Sequence, residues 1–300
     1  MERRERIDTP GAVALVLFAL LLAFNQVVIK VVNEGLQPAF FAGVRSVAAA
    51  VIVWGWIRLN GRRLEFQRAT VGAGLLVGVI FAAEFLGLFV ALDLTTVTRT
   101  SVIFYSMPVW LAVIAHFILP GERIYPRKAA GLALAFAGVV WAFADRGAGA
   151  GGAASLWGDL AALAGALGWA GIALMARVSA LSRLRPEVQQ FWQLAVSGPI
   201  LLAVAPLFGP FIRDLAPIHL WGLAFQIVVI VSAGFLFWLW LLKIYPASDV
   251  AAFSFLSPIF GIALGWLVLG EEVGPSLLGA GALVAGGLAL INWPGRRARG

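Results

Sequence analysis

Residues 120–128 read Pro-Gly-Glu-Arg-Ile-Tyr-Pro-Arg-Lys, and residues 270–275, at the matching point of a later repeat, read Gly-Glu-Glu-Val-Gly-Pro. The two stretches belong to copies that are offset by 150 residues, so that Pro108 of the first copy corresponds to Pro258 of the second. The first loop contains three basic residues, whereas the second contains none. Because short basic loops stay in the cytoplasm, this reversal of charge predicts that two copies of one unit cross a membrane in opposite directions. Inverted repeats of this kind are typical of transporters.

The composition indicates a membrane protein. The 300 residues are 61% hydrophobic and 12% charged, and their mean hydropathy is +0.94. One soluble core of this length would use far less apolar sequence. Since about 20 mostly apolar residues cross roughly 30 Å of hydrocarbon, the segments between the charge clusters predict an all-α fold with ten transmembrane helices. We place these spans at 11–32, 37–58, 70–91, 97–118, 127–145, 155–177, 187–208, 217–240, 247–269 and 275–293.

The basic residues predict the orientation of the chain. Of the 22 Lys and Arg residues, 17 fall on the side of the ten-span arrangement that holds both termini. The opposite side keeps Lys30, Arg99, Arg146 and Arg213, and Arg45 lies within a span. The positive-inside rule therefore predicts that both termini are cytoplasmic. The net charge of +7 follows from this orientation, which makes anionic lipid an expected partner and requires no nucleic acid.

A Gly/Ala-rich stretch divides the chain into two halves. Residues 147–155 form this stretch, which is predicted to be an outer linker between five-helix repeats at 1–146 and 156–300. An odd number of spans in each half inverts the second copy relative to the first. Ten spans already enclose a central cavity, so a monomer is expected to function. Spans five and ten carry small residues at regular spacing, and we expect them to be packing faces that do not touch substrate.

Three sets of residues carry a family resemblance. Span two opens with Pro38-Ala-Phe-Phe-Ala-Gly-Val-Arg45, and the prolines of spans four and nine are each followed fourteen residues later by Glu. With the Gly-rich spans five and ten, this pattern resembles the EamA-type ten-helix transporters of the drug/metabolite transporter superfamily. Within it, Glu84, Tyr105 and Gly168-Trp169-Ala170 are similar to the YddG-type aromatic amino acid exporters. The resemblance implies a bacterial inner-membrane transporter that exports amino acids or similar small amphipathic metabolites from a central cavity by alternating access.

Glu84 is the first candidate for a substrate-binding residue. It lies near the middle of span three, where a carboxylate costs several kcal/mol unless it is paired, neutral or in contact with water. The functional interpretation is a cavity-lining group that binds a substrate amine or takes up a proton. The structural alternative is a buried carboxyl group that is bonded to a neighbouring helix.

Span four carries a polar stripe. Thr98, Ser101, Tyr105 and Pro108 follow one another at spacings of three, four and three, which places all of them on one helical face. Because polar side chains within a span face protein or water, the first three are candidates for substrate binding. Pro108 and Pro258 each remove a backbone donor, which suits either a hinge for alternating access or a static kink.

Asn25, Trp169 and Arg45 complete the candidate set. Asn25 in span one is a candidate substrate ligand, although a helix-to-helix hydrogen bond is its default role. Trp169 lies next to Gly168, which leaves room beside it for a cavity wall or for close packing. Arg45 could meet the carboxylate of an amino acid or a structural acid such as Glu34.

Two predictions concern the loops. Glu122 and Glu272 follow the proline helices and are interpreted as capping or loop-anchoring groups near the N-termini of spans five and ten. Lys30 and Glu34 stand four residues apart, and this spacing predicts an exposed ion pair.

Other functions are kept as alternatives. One alternative is a proton-coupled multidrug efflux transporter, in which Glu84 would have to supply the proton-binding site. A channel is a further alternative. An enzyme is disfavoured because the chain has two His residues and no Cys, and because no base is placed near a span serine. No cofactor or metal is expected, and no ATP-binding motif is present.

Overall fold

The computed structural model describes residues 7–62, 64, 68–119, 124–145, 155–245, 253 and 256–292. These residues are almost entirely helical, and the only β-type pairing among them is one isolated bridge between Leu36 and Ile212. The helices are α1 (Thr9–Gly35), α2 (Pro38–Leu59), α3 (Arg68–Leu94), α4 (Val97–Phe104), α5 (Met107–Ile118), α6 (Pro126–Ala144), α7 (Leu156–Val178), α8 (Pro186–Val204), α9 (Pro217–Phe225), α10 (Phe235–Ile244), α11 (Leu256–Leu269) and α12 (Pro275–Asn292). Short 3₁₀ turns follow α7 and α8, and a π-helical segment, Gln226–Gly234, joins α9 to α10.

The helices confirm that the chain is a polytopic membrane protein. Among the described residues, eight helical segments are long and apolar enough to cross a membrane. Two shorter apolar helices, Leu256–Leu269 and Pro275–Ile291, lie at the positions predicted for spans nine and ten. The full count of ten spans and the cytoplasmic location of both termini stay predictions.

The connection between the third and fourth predicted spans is very short. Helix α3 ends at Leu94 and α4 begins at Val97, so only Thr95 and Thr96 separate them. The Thr95 N–H still donates to the Ala91 carbonyl oxygen at 2.8 Å, and the Thr96 side chain caps α4. The end of α3 and the cap of α4 therefore form the whole connection between the two helices.

Proline and side-chain caps determine where many of the helices begin. The missing N–H and fixed φ of proline suit the first turn of a helix. The Gln37 side chain accepts a hydrogen bond from the Phe40 N–H at 2.6 Å, and Thr96 accepts one from the Arg99 N–H at 3.1 Å. Both caps satisfy amide groups that would otherwise be unpaired at a helix N-terminus. Proline is the first residue of five helices, at Pro38, Pro126, Pro186, Pro217 and Pro275.

The span predicted at 97–118 is two helices. The break falls at Tyr105 and Ser106, because Pro108 has no N–H with which to continue the hydrogen-bond ladder. The Ser106 hydroxyl donates instead to the Ile103 carbonyl oxygen at 2.5 Å and accepts from Trp110 Nε1 at 2.9 Å. The polar stripe of span four therefore ends at a break in the helix.

The span predicted at 217–240 is also irregular. Its central part, Gln226–Gly234, is π-helical, and the Ser232 hydroxyl donates to the Ile227 carbonyl oxygen at 2.8 Å. The wider turns of a π-helix occur frequently at functional sites. Gln226 is the first residue of this segment and is completely buried.

Small residues allow α6 and α12 to pack closely, as the sequence predicts. A Cβ atom on Gly138 would lie 2.6 Å from the Ala280 carbonyl oxygen. A Cβ atom on Gly287 would lie 2.5 Å from the Gly131 carbonyl oxygen. Backbone atoms of the two helices thus approach within van der Waals contact, which supplies the packing that drives helix association in lipid.

Close packing also brings α3 against α7. A Cβ atom on Gly87 would lie 2.6 Å from the Ala161 carbonyl oxygen and 2.9 Å from the Gly165 nitrogen. Next to this contact, the core contains Phe41, Phe89 and Phe104, which are buried among α1, α2, α3 and α4. The helices that carry the polar candidates are therefore held together near the centre of the bundle.

We predict that Gly138→Ala destabilises the protein. The new methyl group would overlap a backbone carbonyl that cannot rotate away, at a cost of about 1–3 kcal/mol. We expect a lower apparent melting temperature of the purified protein, measured by intrinsic tryptophan fluorescence. Gly55→Ala is the matched control, because a Cβ atom there meets nothing within 4 Å. An equal melting temperature for the two variants would contradict the close packing of α6 and α12.

Candidate functional site

A polar group of side chains joins α1 to α4 at the centre of the bundle. The Ser101 hydroxyl donates to Gln26 Oε1 at 2.7 Å, and the Tyr105 side chain also interacts with that of Gln26. All three residues are buried. Ser101 and Tyr105, two of the residues predicted on the span-four stripe, thus share one partner on α1.

Trp169 forms an aromatic wall beside this group. Its ring stacks on Phe104 with the centroids 5.3 Å apart and meets the edge of Tyr105 at 6.2 Å. The side chain is only partly buried. Trp169 therefore joins α7, in the second half of the chain, to the break in span four.

Glu84 lies on α3 against the glycines of α7. A Cβ atom on Gly168 would lie 2.9 Å from the Glu84 Cβ and 3.0 Å from its Cα. Glu84 is 5% exposed, and no donor among the described residues hydrogen-bonds to its carboxyl group. Its charged neighbour is Arg45, with which it interacts electrostatically. Glu84 therefore interacts with the neighbouring helix α2 through charge, without a hydrogen bond among the described residues.

Arg45 is held between two phenylalanine rings and an amide. Its guanidinium carbon lies 3.9 Å from the centroid of Phe85 and 4.9 Å from that of Phe89. Nη1 donates to Gln226 Oε1 at 3.4 Å, and the Gln226 amide nitrogen in turn donates to Asn25 Oδ1.

The acid near Arg45 differs from the predicted one. Glu34 lies exposed at the end of α1, whereas Glu84 is the acid whose charge acts on Arg45. The spacing of residues along spans one and two does not reveal this neighbour, because Glu84 belongs to α3.

These contacts connect into a ring of side chains from both halves of the chain. Hydrogen bonds link α1 to the π-helical segment and to α4, and an electrostatic interaction links Arg45 to Glu84. Gly168 packs on Glu84, and the neighbouring Trp169 meets Tyr105, so that α7 completes the ring between α3 and α4. Four predicted substrate-binding residues belong to the ring, and Ser101 contacts it through Gln26. We call the following residues the polar ring: Asn25, Gln26, Arg45, Glu84, Tyr105, Trp169 and Gln226.

Thr98 lies apart from the polar ring. Its hydroxyl donates to Glu271 Oε2 at 2.6 Å, and its N–H donates to the same oxygen at 2.8 Å. Glu271 Oε1 accepts from the Val97 N–H at 2.6 Å. Glu271 therefore caps the N-terminus of α4, and Thr98 is part of that cap.

The loop that carries Glu271 differs from its prediction. Gly270 has φ +64°, in the left-handed region that favours glycine, and this turn directs Glu271 back toward α4. The neighbouring Glu272, which we predicted to be a capping or loop-anchoring group near the N-terminus of span ten, is exposed. Glu122 lies outside the described residues. The cap thus comes from the adjacent residue and serves a helix of the other half of the chain.

Two basic residues near the Glu271 cap, Lys30 and Arg213, are hydrogen-bonded to other residues of the protein. Lys30 donates to the Thr95 carbonyl oxygen at 2.7 Å, in place of the exposed Glu34 pair predicted from their spacing. Arg213 donates to Asp93 through two nitrogens, at 2.6 and 3.0 Å, and this hydrogen bonding raises the pKa of Arg213 above its ordinary value. The Arg213 side chain therefore stays charged and joins the loop before α9 to the end of α3.

Arg99 forms a buried ion pair near the same end. Its Nε and Nη2 donate to Asp159 Oδ1 and Oδ2 at 3.1 and 2.6 Å. Nη1 donates to the Asp145 carbonyl oxygen at 2.7 Å, and Nη2 also donates to the Ala142 carbonyl oxygen at 2.6 Å. Both charged side chains are fully buried. Arg99 thus joins α4 to α6 and α7, with every nitrogen of its guanidinium bonded.

The two predicted hinge prolines occupy different settings. Pro108 follows the break in span four and is partly exposed. Pro258 is buried in the first turn of α11. Next to it on α11, Gly261 packs directly on the Ser101 side chain. Hinge motion at either proline stays a prediction.

Sequence reasoning missed Gln226, Glu271 and Asp159. A lone amide or acid within or beside an apolar segment was the only available signal, and it does not identify a partner. The partners lie 181, 174 and 60 residues away along the chain. Among the described residues, no group of three or more His, Cys, Asp or Glu side chains could hold a metal ion.

Comparisons with known proteins agree with this architecture. The family model described as the EamA-like transporter family matches the chain twice, over residues 9–144 and 156–293. The uncharacterized transporter YvbV of Bacillus subtilis is 28% identical over 292 residues, which is 91% of each chain. The probable amino-acid metabolite efflux pump of Escherichia coli is 26% identical and is aligned over 92% of each chain. A solved crystal structure has a TM-score of 0.64 at 21% identity and covers 92% of this chain and 94% of its own, which shows a shared fold.

We predict that Glu271→Ala destabilises the protein by removing the cap of α4. Loss of a helix cap costs about 0.5–2 kcal/mol. The apparent melting temperature of the purified protein should fall, and Glu272→Ala, which changes an exposed neighbour, should leave it within error of the original. Equal melting temperatures for the two variants would show that the Glu271 contacts contribute nothing to stability.

Proposed function

Because the chain belongs to the EamA-like transporter family, we propose that it is a secondary transporter that exports amino acids and similar small amphipathic metabolites by alternating access. The observation that carries this proposal is the polar ring, which places one carboxyl group beside aromatic side chains at the centre of the bundle. The similarity to the probable amino-acid metabolite efflux pump of Escherichia coli supports the same substrate class.

Glu84 is the proposed ligand for a substrate amine. A carboxylate at membrane depth is expensive unless a partner compensates its charge. The Glu84 carboxyl group accepts no hydrogen bond from the described residues, and the residue keeps a small exposed fraction of 5%. Arg45 supplies an opposite charge but no hydrogen bond, and a substrate ammonium group would supply the missing donors.

Trp169 and Tyr105 are proposed to contact the substrate side chain. Aromatic rings bind flat apolar groups and cations. Trp169 is partly exposed beside Gly168, and its stacking on Phe104 fixes the plane of its ring. Aromatic and larger apolar amino acids therefore fit this wall better than small polar ones.

The remaining polar candidates divide between two roles. Asn25 and Ser101 are proposed to line the site, because each is buried and bonded to a member of the polar ring. Thr98 is proposed to act at the outer edge of the site, where it is bonded to Glu271.

The pairing of the helices supports two inverted five-helix repeats. If the chain has ten spans, a two-fold axis that exchanges its halves maps span three onto span eight and span six onto span one. A contact between spans three and six therefore implies a contact between spans eight and one. The packing of α3 on α7 and of α1 on α9 follows this rule. The exchange also maps span two onto span seven and span five onto span ten, so the packing of α2 on α8 and of α6 on α12 is consistent with it. We propose domain limits of 1–146 and 156–300, with 147–155 as the linker.

Contacts between α4 and α11 are proposed to form the outer gate. By the distribution of basic residues, the Glu271 cap belongs to the outer side of a bacterial inner membrane, with both termini in the cytoplasm. Gly261 packs on Ser101, and Glu271 bonds to Thr98. Release of substrate to the outside requires these contacts to separate, and Pro108 and Pro258 are the proposed hinges. A monomer surrounded by lipid contains every part of this site.

Proton-coupled multidrug efflux is a second candidate function. The observation in its favour is again Glu84, since a carboxyl group that has no hydrogen bond to the described residues can exchange a proton for a cationic drug. The two functions differ in substrate and in dependence on a pH gradient. No enzymatic function is proposed, because the family and the relatives named above are transporters.

We predict that proteoliposomes containing the protein exchange labelled tryptophan and phenylalanine with saturable kinetics. Glu84→Gln should raise KM by about tenfold or more, since a hydrogen bond to a charged group is worth about 1.5–3 kcal/mol. Glu34→Gln, which removes an exposed carboxyl group, is the control and should leave KM unchanged.

Labelled methyl viologen and an imposed pH gradient distinguish the two functions. Amino acid flux that is indifferent to the gradient supports a facilitative exporter. Viologen flux that is driven by the gradient and lost in Glu84→Gln would instead establish proton-coupled efflux. Flux that does not saturate with any substrate would indicate a channel.

We predict that Trp169→Leu weakens transport of aromatic amino acids more than transport of threonine. Loss of the ring removes an aromatic contact worth about 0.5–1.5 kcal/mol, so KM for tryptophan should rise by about two- to tenfold. Trp221→Leu is the matched control, because Trp221 is 74% exposed on α9. An identical effect of both substitutions on tryptophan transport would exclude Trp169 as a substrate contact.

A further inference from the structure

We propose that Arg45, together with Gln226, forms a subsite for the carboxylate of the substrate, distinct from the amine ligand Glu84. The site would then select zwitterions, meaning molecules that carry both an ammonium and a carboxylate group. This inference rests on the proposed function and specifies its substrate class.

Arg45 and Arg99 are both fully buried, but their guanidinium groups differ in how many hydrogen bonds they make. Arg99 bonds through all three of its nitrogens, to the carboxylate of Asp159 and to two backbone carbonyl oxygens. Arg45 makes one long hydrogen bond, from Nη1 to Gln226 at 3.4 Å, and its Nε and Nη2 have no hydrogen-bond partner in the described part of the chain. Buried donors without partners are rare in native proteins, and a ligand is one explanation for them.

The unbonded atoms of Arg45 are the ones that a carboxylate uses. Nε and Nη2 lie along one edge of the guanidinium and can donate two parallel hydrogen bonds to a carboxylate. Arg99 binds the two oxygens of Asp159 through this same edge, with Nη1 directed to a carbonyl oxygen. In Arg45, Nη1 likewise donates to an oxygen, that of Gln226. Its Nε and Nη2, which form the bidentate edge, have no hydrogen-bond partner among the described residues.

The neighbours of Arg45 hold the guanidinium without filling its open edge. The ring of Phe85 lies 3.9 Å from the guanidinium carbon and orients its plane. Glu84 interacts with it electrostatically but forms no hydrogen bond to it. An acidic side chain in direct contact would fill the edge, as Asp159 fills that of Arg99, and the separation from Glu84 leaves the edge for a substrate.

Charge balance favours a zwitterion at this position. Arg45 and Glu84 together carry no net charge when both are ionised. A zwitterion keeps that balance, because its carboxylate meets Arg45 while its ammonium meets Glu84. An anion or a cation of the same size would leave one charge of the pair uncompensated within the membrane, which is costly.

Gln226 is the proposed positioning residue. It is fully buried at the start of the π-helical segment, and its amide nitrogen is bonded to Asn25 while its Oε1 accepts from Arg45. This arrangement fixes the orientation of the amide, so that its oxygen faces the guanidinium. Gln226 thus holds Nη1 and leaves the opposite edge for the substrate.

The experiment compares tryptophan with two analogues in proteoliposomes. Tryptamine lacks the carboxylate, and indole-3-propionate lacks the amine. Each is measured as a competitor of labelled tryptophan exchange, and binding to purified protein is measured in parallel as a ligand-induced shift in melting temperature. The wild-type protein should bind tryptophan more tightly than either analogue, by about tenfold or more.

Arg45→Gln should weaken tryptophan and remove its preference over tryptamine, because the carboxylate loses its partner. The affinity for tryptamine should not fall and should rise, because its ammonium group would then balance the charge of Glu84 without Arg45 nearby. Glu84→Gln should do the opposite and remove the preference for tryptophan over indole-3-propionate. Arg45→Lys keeps the charge without the bidentate edge and should recover only part of the preference. Gln226→Leu, which leaves Arg45 in place, should reduce the same preference and serves if Arg45→Gln fails to fold.

Two results would overturn the inference. If Arg45→Gln and Gln226→Leu weaken tryptophan and tryptamine equally, Arg45 only stabilises the helices. If the original chain exchanges amino acids but binds tryptamine as tightly as tryptophan, the proposed function stands and the carboxylate subsite is wrong. Absence of both amino acid exchange and amino acid binding in the original chain would reject the proposed function itself, and the subsite with it.

Discussion

Hydrocarbon offers no hydrogen bonds, and this constraint governs the whole structure. Helices satisfy the backbone, and many buried polar side chains find partners on neighbouring helices. Asn33 donates to the Phe89 carbonyl oxygen at 2.9 Å, and Gln37 donates to that of Ala205 at the same distance. Among the buried charged groups, Arg99 is fully hydrogen-bonded, through all three nitrogens of its guanidinium. Arg45 and Glu84 depart from this pattern, and both belong to the polar ring.

Local features of the fold could be predicted from the sequence, because they depend on nearby residues. The apolar segments indicated the spans, and Pro108 explains the break that divides span four. The site was predictable in part, since a polar side chain in an apolar span is visible as such. Its partner is not visible, because Gln226 meets Asn25 across 201 residues of chain. Glu271 rather than Glu272 caps α4 because the backbone turns at Gly270, which residue type alone does not determine.

Both halves of the chain contribute to the polar ring, but they contribute unequally. Most of its members come from the first half, whereas Trp169 and Gln226 come from the second. At the offset of 150 residues, Tyr105 corresponds to Phe255, so the second copy lacks the hydroxyl group. A repeated scaffold thus carries an asymmetric polar ring, and this asymmetry would let the proposed site distinguish the two ends of a substrate.

The cap on α4 also determines when this part of the protein can finish folding during translation. Val97 donates to a carboxylate that lies 174 residues later in the chain. At a synthesis rate of about 5–20 residues per second, the N-terminus of α4 waits roughly 10–35 s for its partner to leave the ribosome. During that interval its first amide groups depend on lipid headgroups, water or the insertion machinery. The first half therefore completes its folding only after nearly the whole chain has been translated.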